Sequence, residues 1–467
     1  MNIDNFKNKN IHIVGISGSE GSAILSFLAK YNIKNITLHD FIPSKDLEKN
    51  FKLWHKGIKE SEKEILWNKF QTNLKNYKCH FGDDYLKDCE NADIIFVPQS
   101  WRLYNRNSKL LEISQNTNIP FYSLTRLYLE FSKAKVVGIT GTVGKGSVAH
   151  DLYQLLRNQS GSKRNIFFAG NETWRLQVAD KLDQMTDNDI LILEISHRQL
   201  LDGITRGPKV AIFTNLYPNH LDEISWQEYK KFKFSLFQTQ KEDDISILNF
   251  DDENIKEVIP FLKSKIIYYS EKNKDMNTKN IQNIFSDILN TKSDHYPVNI
   301  IAASTAADIL GIDIQLIKQK ISTLKSLPAR KELIKSIEGI KIYDDIKSTT
   351  PWATLKAIKS LGKHCIVICG GDMKDIDYTE FLRKIEDNIE LLIVIKSPLS
   401  EAVKKIYQGN YQTVENLSHA VSIAYKSAQK GNSILVSPAA AFFYTKFIAK
   451  KESLRKIVTS LPPKEKV

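Results

Sequence analysis

A phosphate cradle can be read in the stretch GITGTVGKGSVAHDLYQLL, residues 138–156. Gly138, Gly141 and Gly144 come first, then Lys145 and Ser147, then a run with helical character. The apolar KAKVVGI before it reads as a buried strand. Glycines let successive backbone N–H groups converge on phosphate oxygens at a helix N-terminus. Lys145 adds a point charge, and Ser147 offers a hydroxyl that can hold Mg2+. The stretch departs from G-x-x-x-x-G-K-[ST], because Gly146 separates lysine from serine and the earlier glycine is displaced. Taken alone, it also fits a plain glycine turn.

Residues further on point to chemistry. ILEISHRQL puts Glu194 at the end of a predicted buried strand, where a carboxylate is costly unless it holds a metal or pairs with a cation. FTNLYPNHLD ends a second strand of the same sheet with Asn215, His220 and Asp222. A lone histidine after a strand is usually structural, but this one follows a strand of the cradle's own sheet. EYKKFKFSLF reads as a helix with Tyr229 and Lys233 four apart on one face, a pattern that also suits a solvated surface.

The elements that must position these residues alternate strand and helix. NIHIVGI, the turn GISGSEGSA, the helix AILSFLAKY and the strand NITLHD ending in Asp40 form a βαβ opening. Its glycines, Gly15, Gly18 and Gly21, are spaced G-x-x-G-x-x-G and not G-x-G-x-x-G, which disfavours NAD. ADIIFVPQS is a later strand and loop of that unit. Residues 44–77 carry Leu47, Phe51, Trp54, Ile58, Ile65, Phe70 and Leu74 at helical intervals and read as an inserted helical pair whose tryptophans serve packing. A second α/β unit spans 123–327, with strands IFFAGN, DILILEIS and VAIFTNL. A third spans 328–467, with strands IKIYDDI, HCIVICGG, ELLIVIK and NSILVSP. The expected fold is α/β in three domains with parallel sheets, and ligands at the carboxyl ends of strands.

Composition sets the bounds. The 467 residues exceed what one core serves. No apolar run approaches a membrane span of ~18–20 residues, and MNIDNFKNKNIHIVGI reads as a strand entry and not a secretory signal. Cys79, Cys89, Cys365 and Cys369 have no metal-finger spacing, and the last two lie in an apolar run expected in the core. This fits a reducing cytoplasm. The net charge of +12 is scattered among acids, which argues against a nucleic-acid stripe while still attracting anionic nucleotides.

In the same order along the chain, the cradle, LEIS…QL, TN…NHLD, YKKFK and ILNFDDENI resemble the Mur ligases, the ATP-dependent amino-acid ligases of peptidoglycan precursor synthesis. NETW at 171–174 fits a family asparagine. LPARKELI resembles the arginine-containing entry to the family's C-terminal domain. IYDDIKSTTPWAT, ICGGDMKDIDY and LVSPAAAFF resemble D-S-K-A-T-N, G-G-x-x-K and S-P-A-x-A-S segments of the D-glutamate-adding member. Two features differ. GKGS is closer to folylpolyglutamate synthase, which lacks the preceding nucleotide-sugar domain; and Phe442 stands where that member has a carboxylate-binding serine.

The resemblance implies an N-terminal Rossmann-like nucleotide-sugar domain, a central P-loop ATPase-type domain and a C-terminal Rossmann-like domain. It implies activation of the carboxylate of UDP-N-acetylmuramoyl-L-alanine as an acyl phosphate, then attack by the amine of D-glutamate. L-glutamate, a folylpolyglutamate synthase-like ligation and a non-catalytic nucleotide-binding module are the alternatives. ATP would lie on Gly141, Thr142, Val143, Gly144, Lys145, Gly146 and Ser147, with Asn299 at the adenine, Arg330 at the γ-phosphate, and Asp345. Two Mg2+ ions would sit on Ser147, Glu194, His220 and a carbamylated Lys233; Lys145, Glu194, His220 and Lys233 are the catalytic set. The UDP-sugar would take Ser17, Gly18, Ser19, Asp40, Gln99, Asn171, Ser196, Gln199 and His220. The amino acid would take Lys347, Thr349, Lys374, Phe442 and Phe443. The partners expected are small molecules, with neither nucleic acid nor membrane, acting on a monomer.

Overall fold

The computed structural model describes residues 3–55, 58–157, 163–171, 176–291, 295–441 and 447–462. Three sheets follow one another along the chain. The first has five parallel strands, side by side as Lys78–Phe81, Ile36–Asp40, Ile11–Val14, Ile94–Phe96 and Phe121–Tyr122. The second has six, all parallel, as Lys265–Tyr269, Ile245–Asn249, Val210–Phe213, Lys135–Thr140, Ile190–Glu194 and Ile166–Gly170. The third runs Glu332–Ile337, Ile340–Asp344, Ser433–Val436, Cys365–Cys369, Leu391–Ile395 and Tyr411–Val414, with only the first pair antiparallel.

The inner strands are continuous apolar runs because helices cover both faces of a parallel sheet. Ile190–Glu194 and Cys365–Cys369 are buried along their whole length, which places Cys365 and Cys369 in the core. Strand order reverses beside Ile11–Val14 in the first sheet and beside Lys135–Thr140 in the second. Each reversal opens a crevice at the carboxyl ends, and a glycine turn fills each one. At the first turn, a Cβ on Gly21 would lie 2.3 Å from the Gly15 carbonyl oxygen, so only glycine lets the helix Ser19–Lys30 approach its strand this closely.

The segment after Asp40 does form two helices, Leu47–Trp54 and Glu60–Leu74. Phe51, Trp67 and Phe70 pack together, with ring centroids 4.9–5.6 Å apart. Trp54 corrects the packing expectation: it is 43% exposed at the end of a short helix whose buried stripe is only Leu47 and Phe51. The pair also reaches the first glycine turn. Asn50 Nδ2 donates to Ser17 Oγ at 2.7 Å. His55 Nδ1 lies 2.7 Å from the Phe51 carbonyl, which it meets as a donor, so its Nε2 accepts from Ser22 Oγ at 3.2 Å.

The first and second units share apolar contacts through the helix Leu124–Phe131, whose Leu127 and Tyr128 join one core with Phe6, Phe96, Leu182 and Met185. Polar contacts join the same units. Trp101 Nε1 and Arg102 Nη1 both donate to the buried Asp202 carboxylate. At the other end of the chain, the helix Phe447–Thr459 closes over the edge strand Glu332–Ile337. Arg455 pairs with Glu332, and Lys335 Nζ donates to the carbonyls of Thr459 and Leu461 at 3.1 and 3.3 Å. Among the described residues, no helix is long and apolar enough to cross a membrane.

Candidate active site

The cradle joins the strand Lys135–Thr140 to the helix Lys145–Leu156. Its shape is held from the neighbouring strand end. Thr214 Oγ1 and Asn215 Nδ2 both donate to the Val143 carbonyl, at 2.7 and 2.8 Å, and Asn215 Oδ1 accepts the Val143 N–H at 2.7 Å. Thr142 Oγ1 donates to the Tyr217 carbonyl at 3.0 Å. Asn215 therefore supports the turn. Gly141 has φ +143°, and a Cβ there would lie 2.0 Å from Thr214 Oγ1. Gly141→Ala is expected to lower stability by about 1–3 kcal/mol. Unchanged urea unfolding would contradict this.

Beneath the cradle lie two lysines and a glutamate. Lys145 Nζ folds back to the Thr142 carbonyl at 3.0 Å. Burial lowers its pKa to about 8, against the pull of Glu194 and with help from Arg330. Glu194 is 6% exposed at its strand end and accepts from Asn171 Nδ2 at 3.3 Å. Lys233, on the helix Trp226–Gln238, is 1% exposed; its Nζ donates to the Gly141 carbonyl at 2.7 Å and sits over the Tyr229 ring. Burial and the neighbouring Lys145 charge push its pKa well below the usual lysine range.

A second group stands at the same edge. His220 takes a left-handed backbone with φ +59°, which brings Glu223 back to its Nδ1 at 2.8 Å. Arg198 grips the same Glu223 carboxylate, with Nε to Oε2 at 2.9 Å. The His197 ring lies 4.6 Å from that of His220. Burial lowers His220 to about 4 despite Glu223. Burial alone would raise Glu223, but His220 and Arg198 hold it at about 2. The neutral His220 therefore gives Nδ1–H to Glu223 and keeps a lone pair on Nε2, the arrangement of an oriented metal ligand.

Lys374, from the third unit, faces this group. It is 7% exposed with φ +53°, and burial lowers it to about 8 while Asp222 and Glu223 oppose that shift. Lys347 stands elsewhere, its carbonyl accepting Arg330 Nη1 at 2.8 Å. Thr349 is half-buried two residues on. Arg330 lines a small enclosed space with Ser147, Asp151, Tyr296 and Asn299, beside Gly144. Lys331 and Lys356 both lie over the Tyr296 ring, at 4.4 and 4.7 Å. Asp345 is turned into the hinge: it is 1% exposed, and its oxygens accept from Lys331 N and Ser437 Oγ at 2.9 and 2.7 Å. Phe442 and Phe443 lie outside the described residues, as do 172–174 of NETW.

At the first crevice, Asp40 Oδ2 accepts from Ser17 N and Oγ at 2.8 and 2.6 Å. Gly18 and Ser19 open the helix there. A polar string then crosses to the second unit: Gln99 N to Glu20 Oε2 at 2.7 Å, Ser196 Oγ to Gln99 Oε1 at 2.8 Å, and Ser196 N to Gln199 Oε1 at 2.9 Å. Burial raises Glu20 to about 7. Glu20, Asn50, His55, His197, Arg198 and Glu223 join these sites without a motif of their own. The acid inside GSEGS and the HR pair inside EISHRQL are the local signals that point to three of them.

The chain matches the Mur ligase middle domain over residues 139–311 and the Mur ligase glutamate ligase domain over residues 329–440. It is 29% identical over 399 residues to a UDP-N-acetylmuramoylalanine–D-glutamate ligase of Caldanaerobacter subterraneus subsp. tengcongensis, covering 82% of this chain and 86% of that one. It is 27% identical, across 97% of both chains, to the like-named protein of Acetivibrio thermocellus. A pseudomurein peptide ligase type C from Methanothermus fervidus shares the fold, with a TM-score of 0.55 at 19% identity over 97% of this chain and 100% of its own.

Proposed function

The chain belongs to the Mur ligase family, and from that premise we propose that it is an ATP-dependent ligase joining D-glutamate to UDP-N-acetylmuramoyl-L-alanine in peptidoglycan precursor synthesis. The observation that carries the reading is the half-buried Lys145 with the buried Glu194 and Lys233 under a glycine cradle, beside the oriented His220–Glu223 pair. A carboxylate does not accept an amine at neutral pH, because its leaving group is too poor. Taking the γ-phosphoryl of ATP makes it an acyl phosphate. The amine then attacks the carbonyl carbon, and phosphate leaves with the bonding pair. Two anions approach one another in this step, so catalysis is mainly placement of positive charge.

Lys145 supplies a charge on the transferring phosphoryl, and Arg330 a second from the hinge. Mg2+ would be held by Ser147 and Glu194, with His220 Nε2 and a carbamylated Lys233 for a second ion; bound there, it would neutralise phosphate charge. The residues fit. Glu194 is a buried carboxylate at the cradle, and His220 keeps a lone pair. An uncharged Lys233 amine can take up CO2, giving R–NH–COO⁻ and a proton, and the remaining N–H still serves the Gly141 carbonyl.

Glutamate is chosen because Lys374 at the His220 edge supplies a cation suited to the side-chain carboxylate of a dicarboxylic amino acid, with Lys347 and Thr349 set apart toward Arg330. The phenyl ring of Phe442 forms no such bond, so Phe442→Ser is expected to leave glutamate use unchanged or improve its KM. The test is phosphate release with UDP-N-acetylmuramoyl-L-alanine and a panel of D-Glu, L-Glu, meso-diaminopimelate and a neutral amino acid. D-Glu is expected to be fastest at equal concentration. A faster neutral amino acid or diaminopimelate would overturn the assignment, and a faster L-Glu would overturn its stereochemistry.

A further inference from the structure

Away from the nucleotide and amino-acid sites, four chemistry-bearing side chains meet inside the first unit. His12 lies on Ile11–Val14, His39 on Ile36–Asp40, His80 on Lys78–Phe81, and Cys89 in the turn that follows. The strand register puts the three histidines on one face of the sheet, since His12 pairs with Thr37, Val14 with His39 and His39 with His80. His12, His39 and Cys89 are 1%, 0% and 0% exposed. His39 Nε2 is 2.9 Å from His12 Nδ1, and Cys89 Sγ is 3.9 Å from both His39 nitrogens. One nitrogen of each of these two histidines and the sulfur all fall within 4.8 Å of one another.

Two further observations set this apart from packed polar residues. His39 Nδ1 meets the Tyr85 carbonyl at 2.5 Å, which it does as a donor, so its lone pair is on Nε2, aimed into the cluster. Giving the second ring N–H to a backbone carbonyl is how metal-bound imidazoles are oriented. His80 stacks on His39 at 5.5 Å, and its buried Nε2 has no hydrogen-bond partner among the described residues; Asp88 stands 3.8 Å away.

We propose that His12 Nδ1, His39 Nε2 and Cys89 Sγ form a binding site for a thiophilic divalent transition metal of the zinc class, with His80 or a water as fourth ligand. Tetrahedral zinc separates two nitrogens by about 3.4 Å and nitrogen from sulfur by about 3.6 Å. The observed 2.9 and 3.9 Å bracket those values, and the third separation, His12 to Cys89, is within 4.8 Å, so side-chain shifts of about an ångström complete the site. Because His39 Nδ1 donates to the Tyr85 carbonyl, the hydrogen bond between the two imidazoles is given by His12 Nδ1–H. Metal entry moves that ring proton from Nδ1 to Nε2 and displaces the Cys89 thiol proton to solvent, one proton per metal. The bound ion would clip together the strands Ile11–Val14 and Ile36–Asp40 and the turn through Cys89.

The test uses the full-length chain, stripped of metal, with Mg2+ in excess to fill sites of oxygen ligands. Co2+ titration is expected to give one equivalent with a thiolate-to-cobalt absorption band and tetrahedral visible bands, both displaced by Zn2+. Cys79→Ser should keep the band. Cys89→Ser should lose it and weaken Zn2+ binding by at least about 100-fold, the upper end of what losing an outer-shell partner costs. A band surviving Cys89→Ser, or bound Co2+ with no thiolate band, overturns the site. Proton release on adding Zn2+ to the unaltered protein needs no variant: one proton per ion supports the site, and none refutes it.

Discussion

Lys233→Ala is expected to lose turnover by at least ~10²-fold, the scale of removing one preorganised electrostatic group. Added bicarbonate should not restore it, because no amine remains to take up CO2. Formate or acetate should partly restore it by standing where the carbamate would. Burial favours this chemistry: at 1% exposed and beside the Lys145 charge, Lys233 holds its proton less tightly than an ordinary lysine, which favours the nucleophilic amine. An ammonium there would repel a cation on Glu194, and a carbamate would bind one. The variant keeping near-normal phosphate release would sink the proposal. So would a crystal structure at neutral pH with a bare Lys233 ammonium far from any metal.

The second large effect is at Lys145. Lys145→Ala should cost on the order of 10²-fold or more in turnover, through loss of the charge on the transferring phosphoryl. Its Nζ now rests on the Thr142 carbonyl, so only one hydrogen bond must be exchanged when phosphate arrives. The fold should be spared, because Lys145 sits at the first position of its helix and alanine is a good helix former. Near-wild-type phosphate release from a folded variant would show that the glycine turn is not the phosphate cradle.

Glu194 and His220 can be picked out of the chain for one shared reason, whereas Lys233, inside the helix Trp226–Gln238, stands out only through the family resemblance. Apolar runs of parallel strands stop abruptly at polar residues, and ligands gather at those ends. The three-sheet α/β class follows from the same runs, and the helices Leu47–Trp54 and Glu60–Leu74 follow from their spacing. What could not be read depends on geometry without a local signature. Glu223 reaches His220 only because His220 itself turns left-handed, a conformation no neighbouring glycine announces. Asn50 and His55 act on Ser17 and Ser22, more than thirty residues away. The hydrogen bonds that hold the Asp345 carboxylate, from Lys331 N 14 residues away and from Ser437 Oγ 92 residues away, have no local signature either. The His12, His39, His80 and Cys89 cluster escapes any spacing rule, since each member comes from a different segment.

The closing of Glu332–Ile337 by the last helix bears on how the chain is made. A ribosome releases that strand long before it releases Arg455. Until then Glu332 has not met Arg455, Lys335 lacks the helix-end carbonyls it serves, and Leu333 stands on an uncovered edge. A bare edge is a template for pairing with a neighbouring nascent chain. The charges of Glu332 and Lys335 serve twice: first as a repulsive guard on the unfinished edge, then, once synthesis ends, as the sockets that receive the terminal helix.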